Sequence, residues 1–250
     1  MAGEGRHQEA LDEYVWFHQH ALAEDRALVG VRLSYGLFYW MELAKVYPPA
    51  GAALEAQCDR HAAALLDGSG GKQAFHDLAA INVHLGDAAR TYAVSRELLA
   101  RDPELAQVCS GRAMDAIIDA GDFALAGRFL PDPEASVRRA SAGLNRDVAN
   151  RRVRAFTAAP RIKSDILNYA KEVKRIATVL DGCGRQAEAR RITRLAADLI
   201  PATTIRRAVR AALRPGARPW YERNALSLLT IGANARLRHR RRLAKAARGG

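Results

Sequence analysis

The stretch LGDAARTYAVSRELLARDP (residues 85–103) holds both ends of one helix and the stops on either side of it. Gly86-Asp87 makes a turn, a run of Ala, Arg, Leu and Glu supplies about four helical turns, and Asp102-Pro103 closes it. The step from Gly86 to Pro103 is seventeen residues, and it recurs in GRQAEARRITRLAADLIP (184–201), from Gly184 to Pro201. A third Gly-Asp pair, Gly121-Asp122, lies 35 residues after the first.

Outward from this stretch the chain reads as helix almost throughout. Apolar residues recur three and four apart, and no useful length alternates in the manner of a strand. Helices are expected at about 6–24, 27–46, 49–66, 72–85, 87–101, 103–120, 122–130, 133–158, 161–181, 185–199, 201–213 and 219–231, with a further one at 233–247. Connections of two to four residues make neighbouring helices fold back antiparallel. In VYPPAGAAL (46–54), Pro49 cannot continue the preceding helix but suits the first turn of the next. The fold class is therefore all-α, built of antiparallel helical hairpins.

The hairpins carry a pattern. Phe75-x-x-Leu78-Ala79-x-x-Asn82 precedes Gly86, and Val173-x-x-Ile176-Ala177-x-x-Leu180 precedes Gly184. This resembles the tetratricopeptide repeat, a 34-residue helix–turn–helix in which a small residue lets two helices approach and Pro closes the second. Ala189 and Ala196 fall on the small positions that face the partner helix in that family. The resemblance is good over 72–103 and 170–201 and looser over 6–201. Asn82 departs from the usual Tyr, and Thr91 and Leu98 from small residues. It implies a right-handed α-solenoid, in which each hairpin covers the apolar face of the last. The expected organisation is a repeat domain over 1–201, capping helices over 202–232, and a basic tail over 233–250. A generic helical array stays open as the alternative.

Charge divides the chain unevenly. The overall +12 conceals net −7 over residues 1–130 and net +19 over 131–250. Of the basic residues 33 are Arg and 6 are Lys, a bias that GC-rich coding also produces, so the charge alone does not name a partner. No apolar run approaches the roughly 20 residues of a membrane span. The start lacks the basic and apolar regions of a secretory signal, and a cytoplasmic setting is expected. Cys58, Cys109 and Cys183 have no metal-ligand spacing and read as small buried hydrophobes.

Half of the 16 aromatics lie in the first 50 residues: Tyr14, Trp16, Phe17, Tyr35, Phe38, Tyr39, Trp40 and Tyr47. They read first as the largest core of the array and second as an aromatic groove for a peptide. His18 and His20 are two apart and point to different faces of one helix. His76 and His84 lie about 12 Å apart along another, too far to share an ion. No metal motif, nucleophile elbow, dinucleotide fingerprint or EF-hand loop occurs, so no enzyme activity and no cofactor are expected. GSGGKQ (68–73) lacks the first Gly and the Ser/Thr of a phosphate-binding loop and reads as a linker.

The resemblance places a partner groove on the first helices of the hairpins. Its candidates are Gln73, His76 and His84 in one hairpin and Lys171, Lys174 and Arg175 in the other. A protein or peptide partner is the leading expectation. Nucleic acid or an anionic surface is the alternative, through the Arg-rich half and above all Arg236, Arg238, Arg240, Arg241 and Arg242.

Overall fold

A computed structural model describes residues 5–151, 158–214 and 216. It is all-α, with no strand among the described residues. The order is α1 (His7–Glu24), a 3₁₀ turn (Arg26–Leu28), α2 (Val29–Val31), a π-turn (Arg32–Gly36), α3 (Leu37–Ala44), α4 (Pro48–Asp67), α5 (Lys72–Leu85), α6 (Ala88–Arg101), α7 (Pro103–Asp119), α8 (Phe123–Arg128), α9 (Pro133–Arg151), α10 (Ala158–Gly182), α11 (Gln186–Asp198) and α12 (Thr203–Leu213). The expected helices over the described residues all occur, except that 27–46 is not one regular helix. The stretches 219–231 and 233–250 lie outside the described residues. No described helix is long and apolar enough to cross a membrane.

The opening stretch shows why the helices end where they do. Gly86 takes the left-handed conformation at φ 72°, which a Cβ would strain, and its N–H closes on the carbonyls of Asn82 and Val83. The Asp87 carboxylate then accepts from the Arg90 N–H and caps α6. Asp102 does the same for α7 through Leu105 N–H, with Pro103 at the first helical position, and Asp122 caps α8 through Leu125 N–H.

The chain divides into two compact units. One comprises the residues up to Pro131 together with Gly182–Gly184, and the other Asp132–Asp181 and the chain from Arg185 onward. This division falls where the charge changes sign. In unit 1, α4 packs on α5 and α6 on α7, while α5 also meets α7 and α4 meets α6. Trp40, Leu37, Leu43, Leu54, Phe75, Leu78, Ile81, Leu98 and Ile117 form its core. The departures from the repeat pattern at Asn82 and Thr91 compensate one another. Asn82 Nδ2 donates to Thr91 Oγ1 at 3.0 Å, and Cys58 Sγ donates to Asn82 Oδ1 at 3.0 Å, so three buried polar groups from three helices satisfy each other. Gly182 is obligatory for packing, since a Cβ there would lie 2.1 Å from the Phe123 ring.

Unit 2 buries Val173, Ile176, Leu180, Ile192, Ala196 and Val209. Ala189 and Ala196 are both buried, as small positions in a helix contact should be. Tyr169 spans the core, its hydroxyl 2.7 Å from Ser141 Oγ and donating to the Ala196 carbonyl at 2.8 Å.

A buried Arg–His–Asp cluster as the candidate functional site

The irregular run between α1 and α3 sets the site. In VGVRLSYGLFYWMELA (29–44) the apolar positions Leu37, Trp40 and Leu43 face inward with ordinary helical spacing. The π-turn just before them forms i→i+5 bonds and aligns residues five apart, which rotates Arg32 onto the same buried side as Leu37. A guanidinium is thereby placed in an apolar core, where it demands partners.

Three helices supply them. From α5, Asp77 Oδ1 accepts from Arg32 Nη2 at 2.5 Å, and both side chains are buried. From α1, the His18 carbonyl accepts from Arg32 Nη1 at 2.9 Å, and the two ring nitrogens of His18 lie 3.4 and 3.3 Å from the same Nη1. From α4, His61 Nε2 stands 3.8 Å from Asp77 Oδ2. Gln73, one turn before Asp77, donates to Asp77 Oδ1 at 2.7 Å. The ring of His18 meets Trp40 edge-on at 5.9 Å and His61 at 5.8 Å.

Electrostatics keep both imidazoles neutral. Burial and then the Arg32 guanidinium lower the His18 pKa to about 4, with His61 and Arg60 adding to the effect and Asp77 opposing it. Burial likewise lowers that of His61, against the pull of Asp77. The cluster thus contains one cation, one anion and two neutral rings. Two polar atoms in it have no hydrogen-bond partner, Arg32 Nε and His61 Nε2.

Of the groove candidates, only Gln73 touches this cluster. His76 is half-buried, and burial with Arg112 nearby lowers its pKa. His84 is half-buried near the end of α5. Lys171, Lys174 and Arg175 belong to unit 2, where Arg175 pairs with Glu172. Arg236, Arg238, Arg240, Arg241 and Arg242 lie outside the described residues. The cysteines follow expectation at Cys58 and Cys109, which are buried with thiol pKa values pushed up to about 11 by burial. Cys183 is half-buried and donates to the Phe123 carbonyl at 3.1 Å.

The aromatic cluster corrects the sequence reading. Trp40 is core, and Tyr14, Phe17 and Tyr47 are half-buried, but Tyr35 is 67% exposed, Tyr39 53%, Phe38 49% and Val31 47%. The exposed side chains lie on α2 (Val31), the π-turn (Tyr35) and α3 (Phe38, Tyr39), while Leu37 and Trp40 of the same run are buried. Trp16 on α1 is exposed as well and stacks on His20 at 5.3 Å.

The buried cluster escaped notice because its members come from residues 18, 32, 61 and 77, and spacing tests work only within one helix. The available signal was a charge inside an apolar run, Arg32 in VGVRLSYGLF and Asp77 in FHDLAA. No protein-family model, no curated protein and no solved structure matches this chain.

Proposed function

We propose that the chain is a protein-interaction module of stacked helical hairpins, TPR-like and not catalytic, whose partner docks on the exposed aromatic row of unit 1. The observation that carries this reading is the exposure of Val31, Tyr35, Phe38 and Tyr39 together on one helical run. Scattered exposed apolar residues mean nothing, but four large ones in a row mark a contact surface. Tyr and Phe presented this way are what binding hot spots are made of. The packing of α3 to α7, each on the next and the next but one, supports stacked hairpins. Glu42 follows the row on α3, and Glu9, Asp12, Glu13 and Glu24 are exposed on α1. An apolar ridge on the half of the chain that carries net −7 fits an amphipathic partner helix that has basic flanks.

The groove reading, through Gln73, His76, His84 and Lys174, makes a different prediction. A photo-crosslinker placed at Tyr35 in the native cell identifies the partner, and titration of that purified partner then compares two variants. The triple variant Tyr35→Ala, Phe38→Ala, Tyr39→Ala is expected to abolish binding with helicity retained, and His76→Ala with His84→Ala to leave it intact. The reverse result moves the site to the groove, and intact binding by both variants removes both surfaces.

A nucleic-acid reading rests on the Arg-rich C-terminal half. Within the described part of it, Arg206 donates to the Ile200 carbonyl at 2.7 Å and Arg210 pairs with Asp198 at 3.0 Å, so two of the three guanidinia of α12 already have acceptors. This favours the protein partner.

A further inference from the structure

We propose that His18, His61 and Asp77 form a binding site for one divalent transition-metal ion of the zinc class, joining α1, α4 and α5. Each offers one ligand atom, and the three atoms lie within 4.8 Å of one another.

The pointer is the gap between His61 and Asp77. An imidazole facing a carboxylate in a buried site closes to a hydrogen bond of roughly 2.8 Å. Here Nε2 and Oδ2 stay 3.8 Å apart, and Nε2 is buried with no hydrogen-bond partner. A bridging water making two such bonds would hold the atoms roughly 4.6 Å apart. Two ligands on a tetrahedral zinc, each about 2.0–2.1 Å from the ion, lie roughly 3.4 Å from each other. The observed spacing is too long for contact, too short for water, and close to that of a shared ion.

The neighbours arrange the ligands. Arg32 Nη2 and Gln73 Nε2 both bind Asp77 Oδ1, at 2.5 and 2.7 Å, which leaves Oδ2 for the ion. Such partners fix ligand orientation in metal sites. Arg32 Nη1 directs its bond to the His18 carbonyl and sits almost equally far from both ring nitrogens, favouring neither. Arg32 offsets the charge of Asp77, so an ion held here would take an anion or hydroxide as its remaining ligand. Two imidazoles to one carboxylate suit zinc and its neighbours over magnesium or calcium. Gln73, which binds Asp77 Oδ1, also lines a cleft of about 470 Å³ with Leu22, Ala23, Arg26 and Val29.

The test uses the full chain stripped with a chelator. Cobalt(II) is titrated as a coloured substitute for zinc, and zinc binding is followed by calorimetry. The expected result is a one-to-one complex with the visible bands of low-symmetry cobalt. His61→Ala is the informative variant, since Nε2 makes no hydrogen bond that the fold would miss, and circular dichroism checks its helicity. Its affinity should fall by more than the roughly 10–100-fold that loss of an outer-shell partner costs. His84→Ala, away from the site, should bind as the parent does. Zinc should raise the melting temperature of the parent and leave that of His61→Ala unchanged. Absence of the cobalt bands at stoichiometric metal overturns the site, as does unaltered affinity or an unaltered zinc-induced melting shift in His61→Ala.

Discussion

The two units bury polar groups in opposite ways. At the centre of unit 2, Tyr169, Ser141 and two backbone carbonyls exchange neutral hydrogen bonds. At the centre of unit 1, a guanidinium and a carboxylate face each other between two imidazoles, with Arg32 Nε and His61 Nε2 unsatisfied. Neutral bonds are worth little each and are lost singly. A buried ion pair gives no great net stability, but deleting one member strands the other. The two cores should therefore respond very differently to single substitutions.

Asp77→Ala is the most severe case. It leaves Arg32 charged and buried, and should cost about 3–5 kcal/mol of unit 1 stability. Urea unfolding followed through Trp40, whose ring contacts His18, reads this directly. Adding Arg32→Met should recover most of the loss, because an apolar side chain needs no partner there. Failure of the double variant to recover would show that the cost comes from packing rather than stranded charge.

Acid should act on unit 1 in the same sense. His18 has a pKa of about 4 when folded and 6.5 when free, so between these values the unfolded chain binds more protons. Stability then falls as pH drops from 6.5 toward 4 and is level above that window. With burial first, then Arg32, His61 and Arg60, disfavouring the imidazolium and only Asp77 favouring it, the loss is about 3 kcal/mol at roughly 1.4 kcal/mol per unit. The measurement is urea unfolding at stepped pH with chelator present. His18→Gln should flatten the slope, and an unchanged slope would assign it to other groups.

Unit 2 offers the milder counterpart. Tyr169→Phe removes the donor to Ala196 and the contact with Ser141, but Ser141 keeps its bond to the Val137 carbonyl. A cost of about 1–2 kcal/mol is expected from the backbone carbonyl left without its donor, with no dependence on pH between 4 and 7. A loss as large as that of Asp77→Ala would erase the distinction between the two cores.

How much of this was legible in the sequence follows from the range of the forces involved. The ends of α5, α6 and α7 were readable because Gly86, Asp87, Asp102 and Pro103 act on their own backbone within a few residues. Ala189 and Ala196 were readable because a helix contact needs small residues on one face. The π-turn was not, since Ser34 and Gly36 in RLSYG (32–36) weaken a helix without saying that it winds five residues to a turn there. The aromatic row was read first as core because aromatics bury the most area per residue, and spacing within one helix does not say which of its faces meets a neighbour. His18 was judged only against His20, its neighbour on the same helix, whereas its partners lie 14, 43 and 59 residues further on.

The smallest effect tests the exposure of the row. Tyr35 and Phe38 point outward, so Tyr35→Ala and Phe38→Ala should each change stability by less than about 0.5 kcal/mol, as surface substitutions do. Were 27–46 one regular helix, an i, i+3, i+4 pattern from Leu37 would carry Leu33 and Ser34 inward and leave Arg32 in solvent. Asp77 would then have no cation, and Asp77→Ala would be the mild substitution. A large cost at Asp77→Ala fits the π-turn and a mild one fits the regular helix, whereas Tyr35, about 160° around the helix from Leu37, faces outward in either case. The register is thus read from Asp77, and the exposure of the aromatic row from Tyr35 and Phe38.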